Sequence, residues 1–210
     1  AQLSRGLGDV YKRQVLMIAG LGNPGDEYSQ TRHNAGLDFV NFQCSKYSLV
    51  PKKEKLIHGS YAIKEFDDFK LIFLKPSTFM NESGKCISKA KKFFDLQTSQ
   101  ILIVHDELDL PNGYIKLKKA GGHGGHNGLR NIIDQMQGDN NFKRLRLGIG
   151  HPGKGKDVTT YVLKKASKKD RSQLEKTFDN CNSIGELIMT EGWEKTTMHF
   201  HTGKGASIES

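Results

Sequence analysis

The chain reads as one α/β domain built on a mixed, mostly parallel central sheet with helices on both faces. Three observations predict this: strand-length apolar runs alternate with segments of helical periodicity, an apparent hairpin interrupts that alternation, and 210 residues with 36% hydrophobic content fill one core but are short for two ordinary domains.

A buried-strand pattern starts at Val15 (VLMIAG) and is followed by a Gly/Asn/Pro turn and a helix over residues 34–47. Residues 59–66 and 69–74 form a strand pair joined at Asp67 and Asp68. A helix covers residues 82–94, where Cys86, Ala90 and Phe93 recur at helical spacing, as do Ile87 and Phe94. The run ILIVHDEL at 101–108 ends in acids, the pattern of a buried strand whose end opens into a site. Residues 114–119 and 143–149 alternate strictly: Ile115 and Leu117 oppose Lys116 and Lys118, and Leu145, Leu147 and Ile149 oppose Arg144 and Arg146. Between them Leu129, Ile132, Ile133 and Met136 mark a helix. A last amphipathic helix is expected over 168–190 on Leu174, Phe178, Cys181 and Ile188. The domain is expected to span 15–201. Residues 1–14 show no periodicity and are read as an extension with Met17 the expected start, and residues 202–210 as a disordered tail.

Lys and Arg number 32 against 23 Asp and Glu, a formal charge of +9 that favours a polyanionic partner. The leader holds only a small part of that excess, so the basic character belongs to the domain. The three cysteines, Cys44, Cys86 and Cys181, are scattered, which argues against a disulfide framework or a zinc knuckle and for a reducing, cytoplasmic setting. No apolar run reaches the roughly 18 residues needed to span a bilayer.

Gly20-Leu21-Gly22-Asn23-Pro24-Gly25 matches the GxGxxG dinucleotide fingerprint, but its chemistry is wrong. That motif needs free amides at a helix N-terminus to receive a pyrophosphate. Here Pro24 removes an amide, and Asp26 and Glu27 bring negative charge to the place.

Four segments put polar groups at strand ends and helix starts: GLGNPGDEYSQTRHNAG, KPSTFMNESG, HDELDLPNG and GGHGGHNGLR. Singly, each has a simpler explanation. Asn81 or Asn127 would serve as a helix cap, His33 as a satisfied structural histidine, and Asp106 as an acid at a strand end. Together, in this order and with FKRLRLGIGHPG at 142–153, they resemble the bacterial peptidyl-tRNA hydrolase family across nearly the whole chain.

The resemblance implies hydrolysis of the ester between a peptide and the terminal ribose of tRNA, without a cofactor or metal. It implies His33 as base, Asp106 as its partner, and Asn23, Asn81 and Asn127 as groups that arrange substrate and water. It also implies contacts from Tyr28, Met80 and His126, and tRNA binding by Lys116, Lys118 and Arg146. Peptidyl-tRNA is then the partner; no membrane and no obligate protein partner are expected, and the protein is expected to be a monomer. These residue types suit the chemistry. A histidine near its ordinary pKa of about 6.5 is mostly neutral at cytosolic pH, and a carboxylate on its other nitrogen fixes the tautomer. Neutral amides can donate to a developing oxyanion.

Two rivals have features of their own. His105, Asp106, Glu107 and Asp109 with His123 and His126 suggest a metal-dependent hydrolase, and the basic charge suits an RNA-binding scaffold without catalysis. The segment 151–160, rich in Gly and Lys, is read as a lid, and the glycines around His123 as a turn that presents backbone amides.

Overall fold

The computed structural model describes residues 13–201. Its seven strands lie in the order β2-β3-β4-β1-β5-β7-β6. They are β1 Gln14–Gly20, β2 Lys52–Glu54, β3 Gly59–Glu65, β4 Phe69–Pro76, β5 Ile101–Glu107, β6 Ile115–Lys119 and β7 Lys143–Gly148. The sheet is mixed, as expected. Its parallel pairings, β4 to β1, β1 to β5 and β5 to β7, are confined to the centre and equal the antiparallel ones at the two edges rather than outnumbering them. Gln14 pairs with Phe69, so the strand takes in a residue assigned to the extension; residues 1–12 and the tail at 202–210 fall outside the described residues.

Alternation along β1 sends Leu16 and Ile18 to one face and Met17 and Ala19 to the other. The first face is covered by α1 (Ala35–Lys46), α5 (Lys168–Asn180), α6 (Ile184–Thr190) and α7 (Trp193–His201), through Phe39, Phe178, Ile184 and Phe200. On the second, α2 (Ser83–Phe93) and α3 (Asn127–Gln135) bury Ile87, Leu129 and Ile132. The short helix α4 (Val158–Leu163) stands at the sheet's C-terminal end.

Three features depart from the sequence reading. The helix expected over 168–190 is broken between α5 and α6, where the Asn182 carbonyl accepts from Gln43 Nε2 at 3.0 Å and Lys46 Nζ at 2.9 Å of α1 instead of continuing the ladder. Arg144, expected on a solvated face, is 2% exposed because Gly121 and Gly122 fold over it and accept from its guanidinium. The last part of the expected lid is helical, since Asp157 caps α4 by accepting from Thr159 N and Thr160 N. At the edge, α7 shields β6, with His201 Nε2 accepting from Leu117 N at 2.9 Å.

Two close contacts decide where α1 begins. A Cβ on Gly36 would stand 2.1 Å from the Val104 carbonyl oxygen, and one on Gly20 would stand 2.2 Å from that of Gly36. Only glycine lets α1 lie directly on β1 and β5, and this brings the turn before α1 to the end of β5. Gly36→Ala is expected to cost at least about 2 kcal/mol through overpacking, read as a lower urea midpoint with unchanged slope. An unaltered midpoint would mean the contact is looser than described.

Candidate active site

Strand β1 sits where the chain reverses direction across the sheet: α1 leaves it on one face, and α2 carries β4 to β5 on the other. Such a switch point opens a crevice beyond the carboxyl ends of the parallel strands. Here that crevice is a cleft of about 600 Å³, lined by Asn23, His33, Met80, Asn81, Asp106, His126 and Asn127 among others. The four segments singled out in the sequence therefore converge.

Asp106 is 4% exposed and accepts from two imidazoles. His33 Nδ1 lies 3.0 Å from both its carboxylate oxygens, and His126 Nε2 lies 2.9 Å from Oδ1. The tautomer of His126 follows from its surroundings. Its Nδ1 accepts from Gly128 N at 3.1 Å and Leu129 N at 3.3 Å, so its proton sits on Nε2 and is donated to Asp106. His126 is thus the cap of α3, a role the sequence left to Asn127. With Nδ1 of His33 committed to Asp106, Nε2 is the nitrogen left for the cleft.

Burial opposes charge on His33, but the Asp106 carboxylate and its hydrogen bond outweigh that and raise the imidazole above its ordinary value. Burial alone would raise Asp106; the charges and hydrogen bonds of the two imidazoles hold it well below the usual carboxylate range. His105, fully enclosed and edge-on to His126 at 5.0 Å, is pushed down to about 3 by burial and by His126. Its Nδ1 turns to the Asp106 carbonyl at 2.7 Å, so it stands outside the carboxylate's hydrogen bonds.

Asn23 is held as firmly. Its backbone N donates to Asn34 Oδ1 at 2.8 Å, and its carbonyl accepts from Asn34 Nδ2 at 3.0 Å. Its own Oδ1 accepts from Met80 N at 2.7 Å, which leaves its NH2 group free to donate. Asn81 and Asn127 are exposed at the cleft wall and cap no helix. Asn34 was missed by sequence reasoning, although it stands within the RHNAG block, as was Phe79, 49% exposed on the cleft wall. Tyr28 does not line the cleft; it meets the site through an edge contact with Phe79 at 6.2 Å.

Lys116, Lys118 and Arg146 lie off the cleft on β6 and β7, with Lys116 opposite Arg146 in register. Both lysines are exposed, whereas Arg146 Nε donates to Glu107 at 2.7 Å. Arg144, which alternates with the buried leucines of β7 as Arg146 does, is itself buried and adds no charge to that surface.

Among the described residues, His33, Asp106 and His126 are close enough to hold a cation. The carboxylate already accepts from both rings and His126 Nδ1 accepts from α3, which leaves His33 Nε2 as the one ring nitrogen of the three residues not already engaged. The larger set suggested by the sequence does not assemble: His105 faces a backbone carbonyl, and Glu107 is paired with Arg146.

A parallel-centred α/β sheet with a buried carboxylate, an oriented imidazole and free amides in one cleft defines a hydrolase-type site. The family model described as Peptidyl-tRNA hydrolase matches residues 17–208, and the chain belongs to that family. It is 44% identical over 191 residues to a peptidyl-tRNA hydrolase of Histophilus somni, covering 91% of this chain and 98% of the relative. It is 50% identical over 167 residues to one of Marinobacter nauticus, covering 80% and 85%. The crystal structure of peptidyl-tRNA hydrolase from Acinetobacter baumannii superimposes with a TM-score of 0.84 at 40% identity, covering 91% of this chain and 97% of that one.

The two sources acting on His33 can be separated by titration. Because its pKa is raised, the neutral imidazole is lost as pH falls through a midpoint above 6.5, and NMR of the ring proton should show the transition there. In Asp106→Asn the charge that raises the imidazole is gone while its burial remains, so the midpoint followed by NMR on the ring proton should fall well below that of the wild type. An unmoved midpoint would break the pairing.

Proposed function

We propose that the protein hydrolyses peptidyl-tRNA by a water that His33 deprotonates, with Asp106 holding the imidazole and neutral amides receiving the developing oxyanion. The observation that carries this reading is the committed Nδ1 of His33, which leaves Nε2 as the only ring nitrogen able to take a proton from the cleft. An ester has a far better leaving group than an amide, so one base and a positioned water suffice.

As the water's proton moves to Nε2, positive charge grows on a ring already bound to a buried carboxylate, which stabilises the imidazolium. His126 supplies Asp106 with a second N–H and keeps its charge in place. The oxygen of the attacked carbonyl gains charge, and the amides of Asn81 and Asn127, with the NH2 of Asn23, are the donors at hand. Met80 holds Asn23 in place by donating its backbone N–H to the Asn23 Oδ1. When the ribose oxygen departs, the His33 imidazolium returns the proton to it. The tRNA backbone is taken by Lys116, Lys118 and Arg146. The protein acts as a monomer in the cytoplasm; no helix of the described residues is long and apolar enough to cross a membrane.

His33→Ala is expected to lower turnover of a defined peptidyl-tRNA by at least about 10³-fold while tRNA binding persists, and Asn81→Ala or Asn127→Ala by about 10²-fold. Wild-type cleavage by His33→Ala would reject the mechanism, and cleavage that stops on exhaustive chelation would favour a metal. For the tRNA surface, Lys116→Ala and Lys118→Ala should each reduce the slope of log affinity against log salt by about 1. A slope unchanged by both would place the tRNA elsewhere.

A further inference from the structure

Arg32, the residue before the base, points away from the cleft and is spent on the segment that forms its far wall. Its NH1 donates to the carbonyls of Tyr161 at 3.5 Å, Lys164 at 3.4 Å and Lys165 at 3.3 Å, all at the end of α4. Its NH2 pairs with Asp170 at 3.2 Å on α5, and its guanidinium lies 4.3 Å from the centre of the Tyr161 ring. The backbone follows the same path: Arg32 N donates to Lys164 O, Ala166 N donates to Gln30 O, and Thr31 bridges to Lys165. Tyr161 is pinned in turn, its hydroxyl donating to Ile149 O at 2.7 Å.

The last carbonyls of a helix have no partner within it, and a planar fork of N–H donors can serve several at once. α4 has only 6 residues and cannot hold its own position by internal hydrogen bonds. Its Val158, Val162 and Leu163 line the cleft, with Phe79 and Leu108 as further apolar lining. The polar chemistry and this apolar wall therefore share one cleft, and the Arg32 side chain adds to the backbone bonds of residues 30–32 the side-chain tie between the wall and the turn carrying His33.

We propose that Arg32 is a positioning residue that latches α4 against the turn carrying His33 and thereby sets the apolar subsite for the peptide portion of the substrate. This rests on the reading that the ester lies at His33, which places the peptide along the adjoining wall. The latch makes no contact with reacting atoms. Loosening it widens the wall for apolar peptide side chains and leaves the His33 and Asp106 pair in place.

The test compares two tRNA esters on the full chain, one bearing a single N-acetylated glycine and one an N-acetylated tripeptide of leucines. Arg32→Ala should raise KM for the leucine substrate about 10-fold while leaving kcat/KM for the glycine substrate within about 3-fold, and the His33 titration should not move. Arg32→Lys, which keeps the charge near Asp170 but lacks the fork, should fall between. Tyr161→Phe, which removes only the anchor to Ile149, should show the same substrate dependence in weaker form and serves if Arg32→Ala does not fold. Equal losses on both substrates, or none on either, would overturn the latch. Because both readouts come from enzyme with His33 intact, the proposal fails or stands separately from the His33 mechanism.

Discussion

A carboxylate that is 4% exposed at the end of a buried strand has lost its water and must be compensated by the protein. Asp106 is compensated by two imidazole N–H groups, one from the turn before α1 and one from the cap of α3. This demand ties together three distant stretches of chain. It decides which nitrogen of His33 faces the cleft, fixes the tautomer of His126, and holds the carboxylate well below its usual range so that it stays ionised. Removing either imidazole would leave a buried charge short of a partner, which costs more than the hydrogen bond itself contributes.

The scaffold meets that demand through close backbone contact. With no side chain at Gly20 or Gly36, α1 settles onto β1 and β5, and the turn at Arg32, His33 and Asn34 arrives over the end of β5. The same turn serves in three directions: Arg32 reaches α4, His33 reaches Asp106, and Asn34 grips Asn23. The imidazole, the cleft wall and the amide of Asn23 thus share one anchor of three residues, which accounts for a polar run at a position where a dinucleotide-binding fold would place a helix.

Much of this was legible in the sequence. The strict alternation at 114–119 and the apolar run at 101–108 placed β6 and β5, and Pro24 with the acids Asp26 and Glu27 argued against a cofactor fingerprint. The site blocks could be recognised because their polar residues sit at ends of elements. What the sequence hid depends on tertiary partners. Arg144 alternates correctly with its neighbours, yet a glycine loop folds over it. The break between α5 and α6 comes from donors on α1, and the role of His126 as both cap and carboxylate donor needs a contact across 20 positions. Short elements such as β2 and α4 carry too little periodicity to be read alone.

The assignment of protons around Asp106 is read directly by ¹⁵N NMR of the imidazole nitrogens. At a pH where both rings are neutral, His33 should carry its proton on Nδ1 and His126 on Nε2, each nitrogen coupled to a carboxylate acceptor. A proton found on His33 Nε2 would leave the cleft facing a donor instead of an acceptor, and would overturn this assignment.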